Sequence, residues 1–427
     1  MGSYDDLSID GFSIWGSKSY VDDAVLSIFH ERDRRRRVAS RPRYSNSGAE
    51  EVVEYAVSAR AMRERLDAMG YAAAQAREDY AIGLNRELEV YDVHLTDVFD
   101  QELRERAAQW TYDRWSAAIA RLVPQGFQVW AAERFKGDRD AVQISSGMQQ
   151  GLGSHFSDIR LMLRALLDAL PAAQEVILDV TDLISAGYYE EDEPICAQAR
   201  RAWANENSVY GPIILLTEGR SDARILLAAF QAIAPHLIDL YGFLDFEGLK
   251  IEGSADALAK MIRAFVGAGI SSRIIGIFDR DTAGAEALAG LASVDLPPHV
   301  KVMALPECEI AKSYPTLGPQ GPAEMDVNHL ACSIEMYLGL DALRDEMGRL
   351  RPVRWTGFNG KLRRYQGAVG GKDEIATRFF ALLQQCGSEL EARAAFPDLA
   401  RAIDAIAAAF IATPPGSRGQ RADLSEW

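Results

Sequence analysis

Cysteine is scarce in this 427-residue chain. Cys196, Cys308, Cys332 and Cys386 lie far apart, with no C-x-x-C pair. That spacing argues against a zinc ribbon and points to reduced, mostly structural thiols. Long apolar runs are missing too, since no stretch approaches the roughly 20 residues a membrane helix needs. The opening Met1-Gly2-Ser3-Tyr4-Asp5-Asp6 has neither the basic nor the apolar region of a signal peptide. A cytoplasmic protein with no membrane partner is expected. Positive charge is in deficit, with 46 Lys and Arg against 62 Asp and Glu, a net charge of −16. This disfavours a general nucleic-acid coat protein, and any polyanion must meet a local basic patch. Internal repeats and long low-complexity segments are absent. What is there has a globular composition, 48% hydrophobic and 25% charged, in a chain too long for one ordinary core.

The chemistry concentrates between residues 213 and 281. An apolar run, Ile213-Ile214-Leu215-Leu216-Thr217, ends on Glu218-Gly219-Arg220-Ser221-Asp222. A second, Arg273-Ile274-Ile275-Gly276-Ile277-Phe278, ends on Asp279-Arg280-Asp281. Each reads as a buried strand that delivers acids just past its C-terminal end, the edge where open α/β sheets bind ligands. Two parallel strands would bring Glu218, Asp279 and Asp281 together. Crowded carboxylates repel unless a cation neutralises them, and hard oxygen ligands suit Mg2+ or Mn2+. Ser221 or Asp222 reads as the cap of the following helix. Asp245 and Glu247 follow another strand and are lesser candidates.

Upstream, Leu7, Ile9, Phe12 and Ile14 form the pattern of an early hairpin. The basic run Arg32, Arg34, Arg35, Arg36, Arg37, Arg41 and Arg43 reads either as a solvated face or as a phosphate-tracking arm. Residues 49–86 repeat apolar positions at helical spacing (Val52, Tyr55, Ala56, Ala59, Met62, Leu66), with a break at Gly70. Residues 97–122 and 156–170 also read as helices, the first carrying Trp110 and Trp115 as core residues. Residues 175–181 read as a buried strand, with Asp182 capping the next turn. A boundary is expected at 205–212.

Downstream, strands are expected at 213–217, 237–243, 273–278 and 300–305, alternating with helices. This order implies a mostly parallel sheet flanked by helices. Further on, Ser333-Ile334-Glu335-Met336-Tyr337 places a Glu on a helix. Basic and aromatic residues then interleave: Arg349, Arg351, Arg354, Trp355, Phe358, Lys361, Arg363, Arg364, Tyr365 and Lys372. Such a mixture can pair with phosphates and stack on bases, or can form an ordinary solvated face. Gly367-Ala368-Val369-Gly370-Gly371-Lys372-Asp373 fails as a P-loop, because its glycine spacing is short and Asp373 replaces the Ser or Thr that would hold Mg2+. Helices follow from Asp373 and over 389–411, and 414–427 is a polar tail.

The E-G-x-x-D motif of Glu218 to Asp222, with the Asp-x-Asp of Asp279 and Asp281, resembles the Toprim fold over residues 211–309. That resemblance implies a metal-binding catalytic domain in which Glu218, Asp279 and Asp281 hold the metal. Relatives of the OLD type imply a further acid for a second metal, with Glu335 the candidate and Glu307 and Glu309 its rivals. They also imply a lysine that stabilises the phosphate, for which Lys372 and Lys361 are open choices.

Four strings in the N-terminal half carry a second resemblance: Met1-Gly2-Ser3-Tyr4, Ser17-Lys18-Ser19-Tyr20-Val21, Arg65-Leu66-Asp67-Ala68-Met69-Gly70 and Leu178-Asp179-Val180-Thr181-Asp182-Leu183. Residues 1–205 resemble the HEPN/Toprim-associated N-terminal domain of prokaryotic conflict systems. None of the six histidines has an Arg five to seven positions before it, so the resemblance does not extend to a HEPN ribonuclease.

The expectation is therefore an α/β protein of four segments. These are a mainly helical N-terminal domain (1–205), a Toprim catalytic domain (211–310), a helical extension (311–413) and a tail. The expected activity is Mg2+-dependent cleavage of DNA or RNA in anti-phage defence. Glu218, Asp279, Asp281 and Lys372 would be catalytic, Glu335 an added metal ligand, and Arg351, Arg354, Lys361, Arg363 and Arg364 would bind nucleic acid. A phage-derived trigger, a partner protein and a homo-oligomer are compatible with this reading. The rival is a regulatory nucleic-acid-binding module without turnover. Topoisomerase and primase readings lack a strand-passage apparatus and a zinc ribbon, respectively.

Overall fold

The computed structural model describes residues 2–39, 50–94, 98–146, 155–206, 211–244 and 253–411. The chain divides into two compact units, Met1–Asn207 and Ser208–Trp427.

In the first unit, β1 (Asp6–Ile9) and β2 (Phe12–Trp15) make the expected hairpin. Its turn residues Asp10 and Gly11 both have positive φ, 47° and 82°, as a two-residue hairpin loop requires. With β3 (Arg34–Ala39), β4 (Glu50–Ser58) and β5 (Glu175–Asp179) they form an antiparallel sheet of order β2-β1-β5-β4-β3. Helices dominate by residue number, as expected of a mainly helical domain, and the sheet is an addition to them. Residues 50–58 are a strand rather than the start of a helix. Val52, Val53, Glu54 and Tyr55 are buried in succession, so the two-residue alternation that marks a strand is hidden. β-branched Val52, Val53 and Val57 also favour the pleated state. The helix proper, Ala59–Met69, starts at the Ser58 cap and ends at Gly70, whose φ is 97°. The following region 97–122 is two helices, Val98–Ala108 and Tyr112–Leu122, with Thr111 capping the second. Trp110 and Trp115 are core residues. The turn after β5 is held by Asp179, which accepts from the Thr181 amide, rather than by Asp182.

The basic run is neither an arm nor a bare solvated face. Arg34 to Arg37 lie on edge strand β3 and each is ion-paired. Arg35 and Arg37 both reach the buried Glu54 carboxylate at 2.7 Å, while Arg34 meets Glu31 and Arg36 meets Glu191. Arg41 and Arg43 lie outside the described residues.

In the second unit, β6 (Ile213–Thr217), β7 (Tyr241–Phe243), β8 (Ile274–Phe278) and β10 (Val300–Ala304) form a wholly parallel sheet of order β10-β8-β6-β7. Residues 235–240 are a 3-10 turn, so β7 is shorter than expected. Leu216, Ile274 and Phe278 pack with Leu258 and Ile262 of helix Ala255–Gly267 and Leu288 of helix Thr282–Leu291. Alternation sends Leu215 and Ile277 to the other face. Helix Arg220–Ile233 buries Phe230, whose ring lies 4.6 Å from that of Tyr241. The chain leaves β6 toward β7 and leaves β8 in the opposite direction, toward β10. The carboxyl ends of β6 and β8 therefore flank a topological switch point.

The C-terminal segment is not simply helical. It adds β11 (Tyr314–Gly318), β12 (Gly321–Met325), β14 (Val353–Asn359) and β15 (Arg364–Val369), ordered β12-β11-β14-β15. A short pair joins β9 (Arg280–Asp281) to β13 (Ala331–Cys332). Helices Lys372–Leu383, Glu389–Ala395 and Pro397–Ala408 follow, the last two separated at Phe396 by a proline start. Residues 412–427, including the expected tail, lie outside the described residues. Among the described residues no helix is long and apolar enough to cross a membrane.

One glycine fixes the approach of the helix after β9. A Cβ on Gly284 would lie 2.2 Å from the Asp279 carbonyl oxygen and 3.4 Å from Glu218 Oε1. Gly284→Ala should destabilise the second unit by about 1–3 kcal/mol. Urea unfolding should show the second unit's transition at lower denaturant, and an unchanged midpoint would disprove the tight approach.

Candidate functional site

Glu218 leaves the end of β6 and Asp279 the end of β8, on either side of the switch point. The Asp279 amide donates to Glu218 Oε1 at 2.9 Å. The side chains of Asp279 and Asp281 point the same way by the strand repeat, and Arg280 points inward, where its Nη1 donates to the Leu305 carbonyl. Asp281 caps helix Thr282–Leu291, its Oδ1 accepting from the Gly284 amide at 2.8 Å. Asp279 Oδ1 accepts from the Ile334 amide at 2.9 Å. That amide opens the 3-10 turn Ile334–Leu338, which carries the fully buried Glu335. Lys372, first residue of its helix and half-exposed, places Nζ 3.1 Å from Glu335 Oε2.

Asp222 also faces this cluster, contrary to its reading as a plain helix cap. Gly219 is the N-cap and receives no side-chain cap. Side chains near a helix start lean back toward its N-terminus, which aims Asp222 at the Glu218 loop. The signal in the sequence was the four-residue spacing of E-G-x-x-D.

The electrostatics describe crowding. Burial first, then the charges of Asp281 and Asp222, raise Glu218 to about 8. Burial and Glu335 raise Asp222 to about 6. Asp279 is held well above the usual carboxylate range by burial and then by Asp222, Glu218, Asp281 and Glu335. Burial also raises Asp281, against the pull of the Gly284 amide and Lys372. Burial opposes the Lys372 charge, yet Glu335, Asp279 and Asp222 hold its pKa above the ordinary lysine value. Two like charges ~4 Å apart cost about 4 kcal/mol at an effective dielectric of about 20. Lys372 is the cation beside these acids, and a divalent ion would add the charge that lets Glu218, Asp222, Asp279 and Asp281 ionise together.

An all-oxygen donor set suits a hard divalent ion. As the side chains lie, no three Asp, Glu, His or Cys among the described residues are grouped to hold a metal. One oxygen each of Glu218, Asp279 and Asp281 is occupied by a backbone amide. The chemistry of the donors therefore fits a cation, whereas a closed coordination shell is not preformed.

The rival acids are elsewhere: Glu307 and Glu309 are exposed and meet Lys312. Asp245 and Glu247 lie outside the described residues. Among the basic candidates, Lys361 is bound to Glu286, Nζ to Oε1 at 2.6 Å, and so is removed from the acid cluster. Arg351 is half-buried against Gly371, and Arg364 is half-buried. Arg354 and Arg363 are exposed.

The second unit is thus a parallel α/β sheet with a carboxylate cluster and one lysine at its switch point. Residues 1–202 match the family model described as HEPN/Toprim N-terminal domain 1. That match ties the first unit to a nuclease-related family and supports a HEPN/Toprim-associated protein. No curated protein and no solved structure matches the chain.

The raised pKa values set a sign for stability. Glu218 moves from 4.5 to about 8 and Asp222 from 3.8 to about 6, so the folded state holds protons the unfolded state has lost. Their contribution is full below those starting values and is lost as pH rises through about 6 and about 8. Thermal unfolding in EDTA should show the second unit weakening over that range. Glu218→Gln should flatten the profile, and Mg2+ should restore stability at the alkaline end. A profile that the substitution leaves untouched would remove the crowding argument.

Proposed function

We propose that the second unit is a Toprim-type nuclease that hydrolyses phosphodiester bonds with Mg2+ or Mn2+. The observation that supports this reading most is the meeting of Glu218, Asp222, Asp279, Asp281 and Glu335 from four separate elements, with Lys372 beside them. Glu218, Asp279 and Asp281 would hold the ion, and Glu335 and Asp222 would add ligands. A bound divalent ion would supply the positive charge that lets these acids ionise together and that activates water and steadies the leaving oxygen. Lys372 would offset charge on the phosphate as it is attacked. The buried walls keep these charges in a medium where they act strongly. DNA or RNA is the substrate, and the first unit restrains the nuclease, senses a trigger or mediates self-association. A role in anti-phage defence is carried by the resemblance of residues 1–205 to domains of prokaryotic conflict systems.

The lack of a ready-made metal group among the described residues favours a second reading, a regulatory module that binds nucleic acid without turnover. Incubation with DNA and RNA under Mg2+, Mn2+ or EDTA separates the two. Cleavage should appear with the metals only. Glu218→Ala and Asp279→Ala should each lower it at least about a hundredfold, and Lys372→Ala by a similar factor. Circular dichroism should be unchanged in all three. Binding without cleavage under every condition would establish the module instead.

A further inference from the structure

Residues 351–372 contain Arg351, Arg354, Lys361, Arg363, Arg364 and Lys372 and no acid, in a chain of net charge −16. Most of this stretch is the hairpin β14-β15. Its ladder shifts register between Trp355 and Gly357. The extra residue puts Trp355 and Phe358, three apart, on one face, where plain alternation would oppose them. Cross-strand pairing adds Tyr365 opposite Phe358. The rings form a row: Trp355 to Tyr365 at 6.1 Å, and Phe358 to Tyr365 at 5.2 Å. Phe358 is 57% exposed and Tyr365 60%. Glycines on both neighbouring strands make room for the indole. A Cβ on Gly318 would lie 3.1 Å from Trp355 Cδ1, and one on Gly367 would lie 3.0 Å from its Cε3.

This row is fixed relative to the acids. Thr282, the residue after Asp281, donates its hydroxyl to the Tyr365 carbonyl at 2.7 Å. One turn along the same helix, Glu286 accepts from Asn359 at 2.5 Å and from Lys361 at 2.6 Å. The strand that carries Tyr365 is thus tied to the helix that Asp281 caps, with exposed Arg363 at the hairpin turn. Among the described residues no carboxylate pairs with Arg354 or Arg363.

We propose that Trp355, Phe358 and Tyr365 form a base-stacking platform, and that the substrate is therefore single-stranded DNA or RNA. This rests on the nuclease reading of the neighbouring acids. Exposed rings offer faces to unpaired bases, whereas duplex bases are already stacked on one another. Arg363 and Arg354 supply charge for the phosphates. The acid-free sequence suits a polyanion rather than a protein partner of mixed charge.

The test is anisotropy of labelled single-stranded DNA, single-stranded RNA, duplexes and abasic strands of one length, on the full chain in EDTA. Single strands of at least one sugar type should bind at least about tenfold more tightly than duplex. Phe358→Ala and Tyr365→Ala should each weaken single-strand binding about 5- to 100-fold, and abasic strands should bind as weakly to the parent protein. Phe358→Trp should retain affinity and Phe358→Leu should lose it, which separates stacking from simple apolar contact. Both positions are exposed, so folding is spared. Equal duplex binding, variants that bind like the parent, or no oligonucleotide binding at all would each overturn the platform. Binding is read in EDTA and cleavage in Mg2+ or Mn2+ on the same parent protein, so failure of the cleavage chemistry is read separately from failure of the platform.

Discussion

Like charge forced together at one rim of a parallel sheet is the constraint on which the second unit depends. Two adjacent strands, β6 and β8, end on acids because their connections depart in opposite directions and open a crevice between them. The crevice alone would give two acids. The 3-10 turn of Glu335 and the start of helix Arg220–Ile233 bring two more, and Asp281 completes the group. The fold tolerates this by lending backbone amides to three of them, from Asp279, Ile334 and Gly284. An amide satisfies a carboxylate oxygen but carries no full charge. Burial first, and neighbouring carboxylates after it, still hold Glu218, Asp222, Asp279 and Asp281 above the usual carboxylate range. Structural stability does not require such a cluster, and perturbed acids concentrate at functional sites, which is why the proposed chemistry is put at this rim.

How much of this was legible in the sequence depended on how local each signal is. An apolar run followed by an acid is a local pattern, so β6 and β8 and their residues Glu218, Asp279 and Asp281 could be read directly. Asp222 was ambiguous because an acid in the first turn can cap a helix or lean back over the preceding loop. Glu335 was a candidate by resemblance alone, with Glu307 and Glu309 as rivals, until a tertiary contact, the Ile334 amide on Asp279, set its turn beside the sheet. The strand β4 was misread because burial on both faces erases alternation, leaving an apolar spacing that a helix fits equally well. The hairpin β14-β15 was missed for a different reason. Its glycines and its bulge break the period of two, and its mostly exposed residues give no apolar stripe.

The two basic stretches show why charge patterns alone do not separate function from scaffolding. Arg34 to Arg37 are as dense a run as any in the chain, yet the sheet uses them internally. Glu54 is buried in the adjacent strand, and Arg37 and Arg35 outweigh the effect of burial and lower its pKa. The run answers a buried acid. The later stretch has the opposite arrangement. Its arginines at 354 and 363 have no acidic partner among the described residues, while both its lysines do, Lys361 bracing the hairpin on Glu286 and Lys372 meeting Glu335. The difference lies in the acids nearby, and it appears only when the strands are paired.

One helix links the two features of the second unit. Thr282–Leu291 begins at Asp281, whose side chain caps it, and its first and second turns carry the hairpin through Thr282 and Glu286. Positions four apart lie on one helical face, so a single rigid element orients both the acid cluster and the aromatic row. Gly284, between those two positions, brings this helix against the Asp279 carbonyl and the Glu218 carboxylate. A displacement of the helix start would move the Asp281 carboxylate, loosen the Glu218 contact and tilt the hairpin together. In the proposed reading, alignment between a phosphate at the acids and a base on the rings would follow from this helix, to which the hairpin is tied through the Thr282 hydroxyl and the Glu286 carboxylate.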